Sequence, residues 1–342
     1  MIIATHDGTF HADETIACAI LTYIYENSQI IRSRSEEELE QADLIFDVSG
    51  KNDERHFDHH SPSFTACRPN GIRFATAGLM WHKFGREFLR KLAHDHALHA
   101  DEEVVERTFW RIDREIMHMV DLQDNGQLDD YADSVAAGST AGEQAVVERL
   151  KAFYQCDPSI PYIVATQNVH SGAHPEEQER AFHHTVTMLR QIMIGACATA
   201  LSTENGISRV LACYTGGPLL IMDEHLPWTQ AVIDNPEIFS ACLLAVYPDR
   251  RRGWRIQSLP LSGAERFKNR LTAPQAWRGL DDHELDAQTG LRHTIFVHRS
   301  GFTGGAMEFE VTMEMARRWL AQGEYAADYA ALRPEQAGMG TT

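Results

Sequence analysis

Residues 1–24, MIIATHDGTFHADETIACAILTYI, read as a strand, a polar turn and a helix. Met1 to Thr5 is a short apolar run that stops at the polar loop His6 to His11. From Asp13 to Glu26, Ile16, Ala19, Ile20, Tyr23 and Ile24 recur at helical spacing and form one apolar stripe. Ile30 and Ile31 mark a second strand, residues 36–41 a short acidic helix, and DLIFDV (43–48) a buried strand ending at Ser49-Gly50. Strands alternating with helices pair in parallel and are covered by helices on both faces. The fold class is therefore α/β. Ligands of such sheets bind beyond the carboxyl ends of the strands, and here those ends carry His6, His11, Asp13 and Asp47.

From Gly71 to Asp121 the pattern is helical. Small and polar residues then dominate, and LDDYADSVAAGSTAGEQ (128–144) reads as an insertion or linker ahead of Pro158 and Pro161. A helix is expected from about Glu176 to Ala200, strands at Ser208 to Tyr214, Ala241 to Tyr247, Trp254 to Leu259 and Thr294 to Val297, and a last amphipathic helix from about Ala306 to Gln322. The domain reading is 1–130 for the metal-bearing α/β part, 131–165 for the linker, and 166–342 for a smaller α+β substrate domain. A length of 342 residues favours two domains.

Composition narrows the function. With 43% hydrophobic and 23% charged residues, the chain is globular. A formal charge of −18 argues against gripping long duplex nucleic acid through a broad basic face. It is compatible with an acidic pocket neutralised by cations. The first ten residues lack a basic, apolar leader, and runs such as Ile192 to Leu201 are too short and too interrupted to span a bilayer. Cysteines 18, 67, 156, 197, 213 and 242 are scattered without a C-x-x-C pair, which suits reduced thiols in a cytoplasmic protein.

Chemistry gathers in three clusters: His6 with His11, Asp13 and Glu14; Asp47; and Asp58-His59-His60. An acidic pair, Asp121 and Asp124, lies in DLQDNG and can reach the same point. Alone, His6 would be a capping histidine, Asp13 a helix N-cap and Glu14 a first-turn acid suited to the helix dipole. Together, imidazoles mixed with carboxylates make a ligand set for Mn²⁺, Mg²⁺ or Zn²⁺, and the lack of cysteine argues against structural zinc. Two ions ~3.5–4 Å apart need a bridging carboxylate, and Asp47 is placed for that. The histidines at 94, 96, 99, 183 and 184 lie on expected helices without strand-end context, and read as surface residues.

THDGTFHADE, IFDVSG, FDHH and DLQDNG, in this order, resemble the phosphoesterase motifs of the DHH superfamily, and more narrowly those of the MYG1 family (UPF0160). PDRRRGWRIQSLP (248–260), LTAPQAWRGL (271–280) and FVHRSGFTGG (296–305) resemble that family's distal signatures, with 126–160 the poorest match. The resemblance implies a DHH-type N-terminal parallel sheet and a 3′-to-5′ exonuclease acting on RNA or short oligonucleotides with two divalent ions, Mn²⁺ preferred. It implies that His6, His11 and Asp47 hold one ion, and Asp13, Asp47, His59 and Asp124 the other, with Asp121 as the alternative to Asp124. His60 would face the scissile phosphate and Asp58 would orient a neighbouring histidine. In an extended stretch adjacent side chains point to opposite sides, so His59 and His60 should part company. Arg255, Arg299, Gly304 and Gly305 are the expected substrate contacts, although Gly304-Gly305-Ala306 departs from the superfamily's Gly-Gly-His. Arg250, Arg251, Arg252 and Arg255 around Trp254, and Arg278 beside Trp277, offer charge and stacking for a single strand. The alternatives are hydrolysis of a small phosphate compound, such as a cyclic dinucleotide or pyrophosphate, and a metal-stabilised binding protein without turnover. A homodimer is compatible with either.

Overall fold

Four short apolar strands pair in parallel to form the first sheet. They are β1 (Ile2–Thr5), β2 (Gln29–Arg32), β3 (Leu44–Phe46) and β4 (His56–Phe57), in the order β2-β1-β3-β4. This computed structural model describes residues 1–137, 159–169 and 174–322, with Thr140, Gln144, Ala145 and Glu148 as isolated points. Strand alternation sends Ile3, Leu44 and Phe46 to one face, and Ala4 and Ile45 to the other. On the first face lie α1 (Ala12–Ile24) and α3 (Thr76–Asp95); on the second lies the single turn α2 (Glu36–Leu39) with Leu39 and Ala42. The expected stripe on α1 proves too narrow, because Ala17, Cys18 and Leu21 are fully buried as well.

A second helical layer carries the fourth acidic cluster. Helix α4 (Glu102–Ile112) passes through a π-helical turn, Asp113–Met117, into α5 (His118–Asp124). Trp81 of α3 stacks on Phe109 with rings 5.6 Å apart, and its indole N–H donates to the Phe109 carbonyl at 3.1 Å. Beneath them the buried Arg68 guanidinium reaches Asp113 at 2.7 Å and Asp121 at 2.6 Å. The Gly78 amide donates to Asp121 at 3.0 Å, and a Cβ at Gly78 would sit 2.0 Å from that carboxylate. Only glycine lets α3 approach this closely. Helices α6 (Leu128–Ala136) and α7 (Ile160–Ala165) occupy the described ends of the expected 131–165 linker; most of the remainder lies outside the described residues.

Chain contacts divide the protein into Met1–Glu204 and Asn205–Thr342. The boundary falls inside α8 (Pro175–Cys213), not at 166, because Phe182, Val186, Leu189, Met193 and Cys197 pack into the first core. The strand expected at Ser208 to Tyr214 is also corrected. Ile207 and Val210 are buried in a helix, with Leu211 and Tyr214 packed against the same cluster, a spacing of 3.6 rather than 2. The second unit holds β5 (Leu219–Ile221), α9 (Trp228–Asp234), β6 (Leu244–Pro248), β7 (Trp254–Ser258), α10 (Asp282–Thr289), β8 (Thr294–Val297), β9 (Thr303–Ala306) and α11 (Phe309–Leu320). Its mixed sheet runs β5-β6-β7-β9-β8, with Met315, Ala316 and Trp319 of α11 in its core. Strands β5 and β9 were not expected: the first is three residues long, and the second is half glycine. No helix among the described residues is long and apolar enough to cross a membrane.

Arg68 should be the most sensitive polar residue of the first unit. Burial alone would raise the Asp113 carboxyl, but hydrogen bonds from His118, His82 and Arg68 outweigh it and hold the group below the usual carboxylate range. A depressed carboxylate contributes stability that is present above the unfolded pKa of ~3.9 and lost as pH falls through the folded value. Arg68→Leu should therefore cost ~3–5 kcal/mol at pH 7, as expected for stranded buried charge, and visibly less at about pH 2, well below the unfolded pKa of ~3.9. Denaturant midpoints at the two pH values check this; equal stability of variant and wild type would contradict it.

Candidate metal centre

Three of the four strands of the first sheet, β1, β3 and β4, hand their chemistry to the residues beyond their carboxyl ends. His6 follows β1, Asp47 follows β3, and Asp58, His59 and His60 follow β4. Helix α1 begins at the same rim, with His11 at its N-cap and Asp13 and Glu14 in its first turn; Asp124 is the last residue of α5. Asp47 sits at the middle. Its Oδ2 is 3.4 Å from His6 Nε2, while its Oδ1 is 3.5 Å from His59 Nε2 and 3.3 Å from His60 Nδ1. His59 Nε2 also lies 3.0 Å from Asp124 and 3.8 Å from Asp13, and His6 Nε2 lies 3.2 Å from Glu14. His11 falls between the two sides, grouping both with His6, Glu14 and Asp47 and with Asp13 and Asp124, at ligand-atom separations within 4.8 Å.

The backbone is bent to achieve this. Asp47 has φ +60°, a left-handed conformation that costs a non-glycine residue free energy. It is held there by its N–H donating to the Phe57 carbonyl at 3.2 Å and by the Thr76 hydroxyl donating to Oδ1 at 3.3 Å. Burial would push the Asp47 carboxyl up, but His59, His6 and His60 hold it well below its ordinary range. Conversely, burial lowers the His6 imidazole, and Asp47 and Glu14 push it up to about 10. His60 is likewise raised to about 10, chiefly by Asp47 and then Asp58. Asp13, fully buried, is pushed up by desolvation and by Asp47, Asp124 and Glu14. So many carboxylates in one place demand compensating positive charge.

Protons on the histidines supply part of it, and a divalent ion can replace them. Both Asp13 oxygens, Glu14 Oε2 and His59 Nε2 are buried without hydrogen-bond partners. Buried polar atoms are rarely left so. These atoms are on or beside the same carboxylate-imidazole cluster, and their mixed N and O chemistry fits borderline-to-hard divalent ions. The residues present fit a metal centre.

The sequence matches the "Uncharacterised protein family (UPF0160)", MYG1_exonuc, over residues 2–320. The chain belongs to the MYG1 family. A MYG1 protein of Schizosaccharomyces pombe is 30% identical over 333 residues, covering 93% of this chain and 97% of the relative. A protein named MYG1 exonuclease from Mus musculus is 30% identical over 334 residues, covering 94% and 85%. Among solved structures, a pGpG-specific phosphodiesterase from Vibrio cholerae aligns with 94% of this chain and 98% of its own, at 12% identity and a TM-score of 0.24. That score is too low to relate the two architectures.

The MYG1 resemblance named His6, His11, Asp13, Asp47, His59 and Asp124 together, and the structure brings all of them together. Asp121 stands apart, committed to Arg68 and the Gly78 amide. Asp58 accepts from the Gly50 amide at 2.7 Å and from the His60 backbone N–H at 2.9 Å, and its Oδ1 meets His60 Nδ1 at 2.9 Å. The expectation that His59 and His60 point apart is corrected. Strand β4 ends at Phe57, so alternation no longer applies, and the two rings lie 4.2 Å apart beside the same Asp47 oxygen. They differ instead in exposure: side-chain exposure is 6% for His59 and 63% for His60.

In the second unit, the expected substrate contacts have structural work. Gly304 and Gly305 lie in β9 between β7 and β8, and a Cβ on Gly305 would sit 2.1 Å from the Trp254 carbonyl. Close strand packing accounts for both glycines. Arg255 pairs with Asp249 at 3.0 Å and lies over the Phe296 ring, Arg278 bonds the Ala273 carbonyl, and Trp277 is buried. Arg299 is exposed.

Sequence reasoning missed three supports: Glu14 as more than a first-turn acid, Thr76, and Asn125. The Asn125 Nδ2 donates to the carbonyls of Asp121 at 2.9 Å and Arg73 at 3.2 Å, which leaves its Oδ1 to meet His59 Nδ1 at 3.3 Å. Asn125 therefore accepts from His59 Nδ1–H and fixes the ring so that Nε2 faces the carboxylates of Asp124 and Asp47. Its place beside Asp124 in DLQDNG was the only signal. Asn125→Ala should weaken Mn²⁺ binding by about 10–100-fold with an unchanged far-UV spectrum; titration calorimetry reads the result, and unaltered affinity would contradict the orienting role.

Proposed function

We propose that this protein is a metal-dependent phosphodiesterase, a 3′-to-5′ exonuclease on RNA or short oligonucleotides. The observation that carries the reading is Asp47, whose two oxygens address separate sets of histidines and carboxylates. That geometry suits a carboxylate bridging two divalent ions, with His6, His11 and Asp47 on one side and Asp13, Asp47, His59 and Asp124 on the other. Glu14 can support the first side through His6 or join it. When bound, such ions activate water and neutralise charge on a phosphoryl oxygen. Family membership and the exonuclease name of a close relative support the reaction class.

The protein's own residues would do the positioning. Asp58 engages His60 Nδ1 and thereby fixes the exposed ring, leaving Nε2 available to face the scissile phosphate and hold a proton near the leaving oxygen. Thr76 and the Phe57 carbonyl keep Asp47 in its bent conformation while charge moves. The charge of −18 favours short strands over long polymers.

The test is release of nucleotides from a 5′-labelled 24-mer RNA and from a dinucleotide, with Mn²⁺, with Mg²⁺ and with chelator. Metal-dependent shortening of the 24-mer from its 3′ end is expected, whereas immediate release of the label as a mononucleotide would reverse the polarity. Cleavage of the dinucleotide alone would favour a small-phosphate hydrolase. Binding without turnover would favour a metal-stabilised binder. His11→Ala should retain the fold, since His11 is an exposed cap, and should lose more than about 10-fold in activity. Activity above a tenth of wild type would remove His11 from the ligand set.

A further inference from the structure

Two cavities of nearly equal size meet at the metal centre, both within Met1–Glu204. They share His11, Asp47 and His60. One, of about 600 Å³, is polar and includes Arg34, Thr9 and the turn glycines Gly8 and Gly50. The other, of about 610 Å³, has Phe10, Val120, Leu128, Pro161, Tyr162 and Ala165 in its wall. No lysine or arginine lines this second cavity among the described residues, and its carboxylates are Asp47, Asp124 and Asp129. Tyr162 is 53% exposed, a large aromatic surface left open on α7. The Ser159 hydroxyl donates to Gln123 Oε1 at 3.2 Å, which orients the Gln123 amide and leaves its Nε2 free to donate.

Beyond the shared histidines, a phosphate entering the second cavity would meet carboxylates and, among the described residues, no arginine or lysine, whereas Arg34 stands in the first beside Asp7 and Asp58. Arg34 is paired only with the exposed Asp7 at 3.2 Å, a surface pair that costs little to exchange. What suits the second cavity is an uncharged, flat group with hydrogen-bonding edges. We infer that it is a nucleobase site: it takes the base and ribose of the terminal nucleotide, with the base against the Tyr162 ring and its edge facing Gln123. This rests on the phosphodiesterase reading and extends it by naming what the enzyme grips beside the scissile phosphate. Its volume lies within the ~300–1,000 Å³ of ordinary ligand pockets. Stacking tolerates any base, so the site would select for a terminal base without selecting its identity.

The full chain with Mn²⁺ should be compared on two short RNAs, one ending in a normal nucleotide and one in an abasic residue, by both cleavage and equilibrium binding. Wild type should prefer the base-bearing strand by about 5- to 150-fold, the range of one aromatic–base stack. Tyr162→Ala should bring that ratio close to one while leaving the abasic strand's rate and the metal content unchanged. Tyr162→Phe should keep the preference. Equal handling of the two strands by wild type, or equal loss on both in Tyr162→Ala, would overturn the site. Preferential binding of the base-bearing strand without cleavage would sustain the nucleobase site and sink the catalytic reading instead.

Discussion

Asp47 occupies a backbone conformation that its residue type resists, at the tip of a strand only three residues long. The arrangement persists because the Phe57 carbonyl, the Thr76 hydroxyl and three histidines all engage the same residue. Turning the chain left-handed there aims one carboxylate oxygen at His6 and the other at His59 and His60. The parallel sheet brings the three strand ends to one rim, and the strained aspartate joins them.

Around that joint, negative charge is concentrated beyond what the protein neutralises with hydrogen bonds. Asp13 has no hydrogen-bond partner for either oxygen, yet it is wholly buried between Asp47, Asp124 and Glu14. Compare Asp113 and Asp121 in the neighbouring helical layer, where one buried arginine reaches both carboxylates. The two acidic groups thus differ in their partners rather than in their position in the chain: one is paired with a buried arginine, the other is a carboxylate–imidazole cluster that could hold a metal ion. Arg68 also couples them, since it anchors the helix whose last residue is Asp124.

Much of this was legible in the sequence. Strand-end placement of His6 and Asp47 followed from alternating strands and helices, and motif order supplied the histidine pair, Asp13 and Asp124. The choice between Asp124 and Asp121 was not legible, because the deciding partner, Arg68, lies 53 residues away in sequence. Nor was the common orientation of His59 and His60, since β4 contains only His56 and Phe57 and releases the chain before alternation can separate them. The second unit was read less well. An apolar run at Ser208 to Tyr214 suits either period over so few residues, and the close strand packing of the β9 glycines was not signalled by any motif. Tyr162 carried no motif at all; its exposure beside the cavity emerges only in three dimensions.

The claim on which the rest stands is that Asp47 holds two ions at once. Metal content by mass spectrometry of the elements, after dialysis of wild type and Asp47→Asn against Mn²⁺ at neutral pH, tests it directly. About two ions per chain in wild type, falling below one in the variant with the fold preserved, is the result required of a bridging ligand. A variant that keeps two ions, or a wild type that binds none, would contradict the account.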